Sequence, residues 1–256
     1  DVAGNTSAES AAYGFTVNAA VMGMPSLATA SDSGLKGDRV TNVTTPTFSG
    51  TAITANGDVQ VLDGTTVLAT VTATGTNWSF TPGTGLSNGV HSITARDVSE
   101  NKTSSALSLT VDTVANAPVI TAPTAANTKV APVVAGTGAE AGATITLTAT
   151  AADSSSQSFT AVANASGAWS VDTGVAVVGG NTALVANKVY TLRATQTDAA
   201  GNTSAASAAQ SVNYDTQISG LTINTVPASS ASTLTLTGAG EVGAVVRVYD
   251  GVASLG

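Results

Sequence analysis

The chain has 256 residues, room for two domains of ordinary size, yet its 43% hydrophobic content includes only 4% aromatic residues. Much of the remainder is Ala, so each buried side chain contributes little area and the cores must be thin. Charged residues make up 9% of the chain, and 16 acidic against 8 basic side chains leave a net charge of −8, which argues against a nucleic-acid partner and for a cation. With no Cys there are neither disulfides nor thiolate metal sites, and no run of 18 apolar residues is present to span a bilayer. The start, Asp1-Val-Ala-Gly-Asn, has no initiator Met and no address signal, and the chain reads as an internal fragment of a longer protein.

Self-similarity organises everything else. Asp1-Val-Ala-Gly-Asn-Thr-Ser, Asp97-Val-Ser-Glu-Asn-Lys-Thr and Asp198-Ala-Ala-Gly-Asn-Thr-Ser start 96 and 101 residues apart, the length of one small domain. Trp78 and Trp169 keep a similar step, as do Phe48-Ser-Gly50, Val134-Ala-Gly136 and Leu236-Thr-Gly238. Cutting after Asn18, Asp112 and Asp215 gives four segments. These are the terminal strand of one repeat (1–18), two complete domains (19–112 and 113–215), and the first strands of another repeat (216–256).

Within a repeat the pattern is period two and β-branched, as in Val59-Gln-Val-Leu, Leu107-Ser-Leu-Thr-Val and Ile145-Thr-Leu-Thr-Ala, which means one buried and one wet face. Turn signals Asn56-Gly57, Asp63-Gly64, Asn88-Gly89 and Asp250-Gly251 separate the strands. No segment of helical periodicity interrupts them. About seven strands per 95 to 100 residues predicts an all-β fold of tandem immunoglobulin-like sandwiches arranged end to end, with fibronectin-type topology equally compatible. For the domain 113–215 the expected strands are A near 118–122, B near 130–137, C near 143–149, a middle pair within 157–171, F at 189–197 and G at 207–214. In that order the B to C and F to G turns share the pole where the chain enters. Asp112, Glu140 and Asp198, far apart in sequence, are therefore expected to converge.

The strings Gly-Thr-Gly-Ala-Glu140-Ala-Gly-Ala-Thr-Ile, Asp198-Ala-Ala-Gly-Asn-Thr-Ser, Val-Asp112-Thr and Ser-Asp32-Ser-Gly-Leu-Lys-Gly-Asp38-Arg-Val-Thr-Asn resemble the tandem bacterial Ig-like repeats of giant cell-surface adhesins and biofilm-associated proteins. The resemblance covers essentially the whole chain. It implies a secreted, extracellular array on a bacterial surface, stiffened by structural calcium where repeats meet, whose partners are the neighbouring repeats of the same chain. Carried over position by position, it makes Asp112, Glu140 and Asp198 calcium ligands, with Asp215 and Glu241 repeating the first two. Asp32 and Asp38 are then an additional acidic connector between strands A and B. The first domain departs from the pattern. Asn18 stands where Asp112 and Asp215 stand, and allowing for the longer connector the spacing aligns Asp58 with Glu140, without the Glu-Ala-Gly string.

Calcium suits such groups because it takes six to eight hard oxygen ligands in tolerant geometry. Catalytic readings are weaker. The lone His91 matches Ile93 and Ala95 in parity and aligns with Tyr190, so it is expected to pack inside rather than to serve Ser92 and Asp97. Trp78 and Trp169 repeat as core residues rather than carbohydrate platforms. The sequence thus predicts a non-enzymatic spacer. Two alternatives remain open: a subunit of an extracellular sheath, surface layer or filament built by lateral self-association, and a glycan-binding module.

Overall fold

The computed structural model describes residues 2–14, 20–175, 182–218, 220–225 and 233–255. Period-two sequence gives period-two burial. Residues 2–14 form no strand, and Val17-Asn18, where the first cut falls, lies outside the described residues. The next strands are β1 (Ser26–Leu27), β2 (Val40–Thr41), β3 (Phe48–Thr51), β4 (Asp58–Asp63), β5 (Thr66–Thr72), β6 (Asn77–Phe80), β7 (Gly89–Asp97), β8 (Lys102–Thr103) and β9 (Leu107–Val111). Strands β1, β3 and β6 make one sheet, while β2, β9, β7, β4 and β5 pair in that order in the other, with β8 added on β7. Inward-facing Phe48, Val59, Val61, Trp78, Ile93, Ala95, Leu107 and Leu109 fill the space between them.

The same plan recurs in β10 (Val119–Ala122), β11 (Asn127–Thr128), β12 (Val133–Thr137), β13 (Thr144–Ala151), β14 (Ser156–Val162), β15 (Trp169–Asp172), β16 (Lys188–Thr197) and β17 (Gln210–Tyr214). Here β10-β12-β15 faces β11-β17-β16-β13-β14, the order of the first sandwich repeated strand for strand. Along β13 the residues Ile145, Leu147, Ala149 and Ala151 point inward, and along β16 Tyr190, Leu192, Ala194 and Gln196 do so. The strands thus fall where alternation places them. Of the turn signals, Asp63-Gly64 and Asp250-Gly251 close hairpins with left-handed glycines (φ of 57° and 60°), and Asn56 takes φ of 56° just before β4.

After Tyr214 the described residues form only short pairs: β18 (Thr222–Ile223) with β19 (Gly238–Ala239), and β20 (Tyr249–Asp250) with β21 (Ala253–Ser254). None of the described residues from 216 to 255 is buried. Among the described residues the only helical turn is Thr29–Ser31, and no helix is long and apolar enough to cross a membrane. Two compact units result, Asp1–Thr113 with Ala199–Asn202, and Val114–Asp198 with Thr203–Gly256.

Candidate metal centre

The B to C turn of the second sandwich is built by local chemistry. Gly138 takes a left-handed φ of 75°, Ala139 N–H donates to the Gly167 carbonyl (3.2 Å), and Ala143 N–H closes the turn on the Glu140 carbonyl (3.1 Å). The turn is then fastened to β16. Gln196, fully buried at the end of that strand, accepts from Glu140 N–H through Oε1 (2.8 Å). Its Nε2 donates to the Asn116 carbonyl (2.7 Å) and to Glu140 Oε1 (3.3 Å). Asp198 follows two residues later and is buried, while Glu140 is half-buried.

Asp112 follows β9, its N–H donating to the Thr41 carbonyl (2.8 Å) and its carbonyl accepting from Asn202 Nδ2 (2.9 Å). Within the second unit, Glu140 and Asp198 each offer a carboxylate oxygen within 4.8 Å of the other. Two like unit charges 4 Å apart repel by about 4 kcal/mol at an effective dielectric constant of about 20, so a gathering of this kind favours a cation. The donors are all hard oxygens, with neither imidazole nor thiolate among them, and the set fits calcium in chemistry.

The other acids that the sequence singles out are placed differently. Asp32 is buried and its Oδ2 accepts from Gly37 N–H (2.6 Å), while its Oδ1 is buried with no hydrogen-bond partner. Its carbonyl accepts from Lys36 Nζ. Asp38, six residues on and exposed, accepts from Val40 N–H (2.9 Å). Asp215 accepts from Gln217 N–H (3.0 Å) and shares the lining of an open groove with Glu241 and Lys129. None of these four belongs to the group that holds Glu140 and Asp198.

The first sandwich has its own solution at the equivalent turn. Ladder register pairs Val59 with Asp97 and Ile145 with Gln196, so Asp97 is the counterpart of Gln196 rather than of Asp198. Gly57 N–H closes on the Thr54 carbonyl as Ala143 N–H closes on that of Glu140, which makes Thr54, not Asp58, the counterpart of Glu140. Asp58 instead lies in β4, accepting from Thr72 Oγ1 (2.8 Å). Asp97 is fully buried and accepts from the N–H groups of Ile53, Thr54, Ser99 and Glu100 and from Thr54 Oγ1, at 2.8 to 3.2 Å. Burial pushes its carboxyl up, but the bonds from Thr54, Glu100 and Ile53 outweigh that and hold it below the ordinary carboxylate range. Asn18 lies outside the described residues.

Parity carried a signal for this arrangement. His91, Ile93, Ala95 and Asp97 share one face, as do Tyr190, Leu192, Ala194 and Gln196. Continuing the alternation to the strand ends pairs Asp97 with Gln196. His91 is buried as its parity requires. Its Nδ1 meets Asp63 Oδ2 (2.7 Å) and its Nε2 the Ser87 carbonyl (2.8 Å). Its partner carboxylate is therefore Asp63, not Asp97, and Ser92 projects to the opposite, exposed face.

No curated protein matches the chain. Among solved structures it is similar to a tetra-tandem repeat in the extending region of a large adhesion protein, at 19% identity over 79% of this chain and 52% of that one, with a TM-score of 0.37. Fibronectin(III)-like modules of Clostridium thermocellum CbhA align at 14% identity over 75% and 94% of the two chains (TM-score 0.36). The BSP domain of a biofilm associated protein aligns at 18% identity over 77% and 30% (TM-score 0.26). The chain thus spans about half of the first of these proteins and less than a third of the last. Residues 18–113 match the family model of the bacterial Ig-like domain. The match covers the first sandwich, whose strand order and inward-facing pattern the second repeats.

Proposed function

We propose that these repeats are spacers in the stalk of a secreted bacterial surface adhesin, and that calcium held by Asp112, Glu140 and Asp198 fixes the angle between consecutive sandwiches. The observation that carries the reading is the meeting of two carboxylate oxygens, of Glu140 and Asp198, within 4.8 Å from residues 58 positions apart, with Asp112 assigned to them by the resemblance. Glu140 reaches the group from a turn anchored to a buried strand end, and Asp198 from the residue just past that strand. Asp32 supports a further ion in the A to B connector, because a buried carboxylate oxygen without a hydrogen-bond partner is costly unless a cation meets it. Asp215 and Glu241 are assigned to the next junction, and Asp38 to the connector.

Calcium sites of extracellular modules bind at about 10⁻⁴ to 10⁻³ M. Free calcium at about ten times the dissociation constant adds about 1.4 kcal/mol to the state that binds it. For a sandwich of this size that is a rise of roughly 6 to 11 °C in melting temperature.

The test is a calcium titration followed by small-angle scattering and thermal melting, with Glu140→Ala and Asp198→Ala alongside. The expected result is a longer maximum dimension and a higher melting temperature with calcium, both lost in the variants. A wild-type profile and melt identical in calcium and in chelator overturn the reading, and reversible polymerisation at low concentration replaces the stalk with an assembling wall.

A further inference from the structure

The two sandwiches fasten one turn in two ways. In the first, the buried residue ending β7 is an acid. Asp97 can only accept, so it absorbs the turn's N–H groups itself, and the turn residue over it is Thr54, whose hydroxyl also donates to it. In the second, the residue at the same ladder position is an amide. Gln196 accepts from the Glu140 backbone and donates to two oxygens, the Asn116 carbonyl and Glu140 Oε1. The flanking groups settle which end of the amide is which, because Glu140 N–H can only donate and the Asn116 carbonyl can only accept. An acid here would set a second negative charge beside Glu140, and an apolar residue would leave the Glu140 N–H and the Asn116 carbonyl without this partner.

We infer that Gln196 is a positioning residue for calcium, holding the Glu140 carboxylate in place from the outer shell, and that the residue at the buried end of this strand decides whether a repeat's turn presents a ligand or locks on itself. This rests on the calcium reading above. Gln196 touches the ligand and the turn's backbone at once, so it fixes both the position of the turn and the direction of the carboxylate. Partners of this kind around metal ligands are typically worth 10- to 100-fold in affinity. The corresponding expectation for the first sandwich is that Asp97 keeps its turn closed without any metal.

The experiment compares the full chain with its Gln196→Met variant, which keeps the side-chain volume and removes all three hydrogen bonds. Calorimetry gives the calcium affinity, and melting in chelator and in calcium gives the increment due to the ion. The expected result is affinity weakened 10- to 100-fold and a smaller calcium increment. A residue that serves only the fold lowers both melts equally and leaves the increment intact, which overturns the inference, as does unchanged affinity. Side-chain amide resonances of Gln196 in the wild-type chain, followed by NMR during the titration, give a second answer even where the variant fails to fold. They are expected to shift in step with calcium, and fixed positions through saturation overturn the inference. Absence of any calcium heat in the wild type instead overturns the calcium reading itself.

Discussion

Asp97 shows how much one buried residue organises. Its two oxygens serve four backbone N–H groups and one hydroxyl, and two of those N–H groups, of Ile53 and Thr54, converge on Oδ2. An amide in its place turns its NH₂ end toward N–H donors whichever way it is flipped. Asp97→Asn is therefore expected to cost about 2 to 4 kcal/mol, as two donors lose an acceptor in a buried setting. Chemical denaturation checks this, and the loss should be the same with calcium and with chelator. The carboxyl is depressed in the folded chain, so its contribution is fully present above the ordinary value near 3.8 and fades as pH falls through the lower folded value. The Asp-x-x-x-Asn string hid this role. It aligns Asp97 with Asp198 by letters, whereas strand parity puts Asp97 inside with Gln196. Turn motifs report local chemistry, and two residues more or less before a motif are invisible until the ladder register is known.

At the level of elements, alternation made the strands legible, because a half-buried strand must send every second side chain inward. Register within the smaller sheet was less legible, and it depends on glycine. β12 pairs Gly136 with Trp169, and β3 pairs Gly50 with Trp78. A Cβ on Gly136 would stand 2.1 Å from the Val119 carbonyl oxygen and 2.3 Å from the indole. Backbone on one side and a buried ring on the other leave it no room. Gly136→Ala is expected to destabilise the second sandwich by at least about 1 to 3 kcal/mol, the usual cost of overpacking. The check is a melt of the variant together with Gly142→Ala, which has open space around it but a left-handed φ of 78° and so reports backbone strain alone. The recurring small residue before each Trp strand was visible in the sequence as Phe48-Ser-Gly50 and Val134-Ala-Gly136. Its reason, a ring lying over the backbone, was not.

Across the whole molecule, the two units are expected to answer to different solution variables. In the first, both nitrogens of the only histidine meet oxygens that can accept, so the doubly protonated ring satisfies both contacts. Burial pulls the His91 pKa down, but the Ser87 carbonyl and the hydrogen bond and charge of Asp63 outweigh it and leave it above the ordinary 6.5. The raised value means that the stabilisation is fully present below about pH 6.5 and is lost as pH climbs through the folded-state value. Melts at a series of pH values from 5 to 9 should show the first sandwich falling with pH, and His91→Gln should flatten the trend. Under the calcium reading, the second sandwich should respond to chelator instead. Glu140 and Asp198 were legible as a pair of acids at converging turns, because sandwich topology brings those turns to one pole. The outer partner Gln196 was not, since nothing in a lone amide announces which neighbours it will meet.

Each sandwich contains a single tryptophan, sealed over its own glycine. Excited at wavelengths where tyrosine does not absorb, each sandwich therefore has one tryptophan reporter. Replacing Trp78 by Phe leaves the emission of the second repeat alone, and replacing Trp169 leaves that of the first. Unlabelled protein can then report, repeat by repeat, which module opens first when it is heated, acidified or pulled.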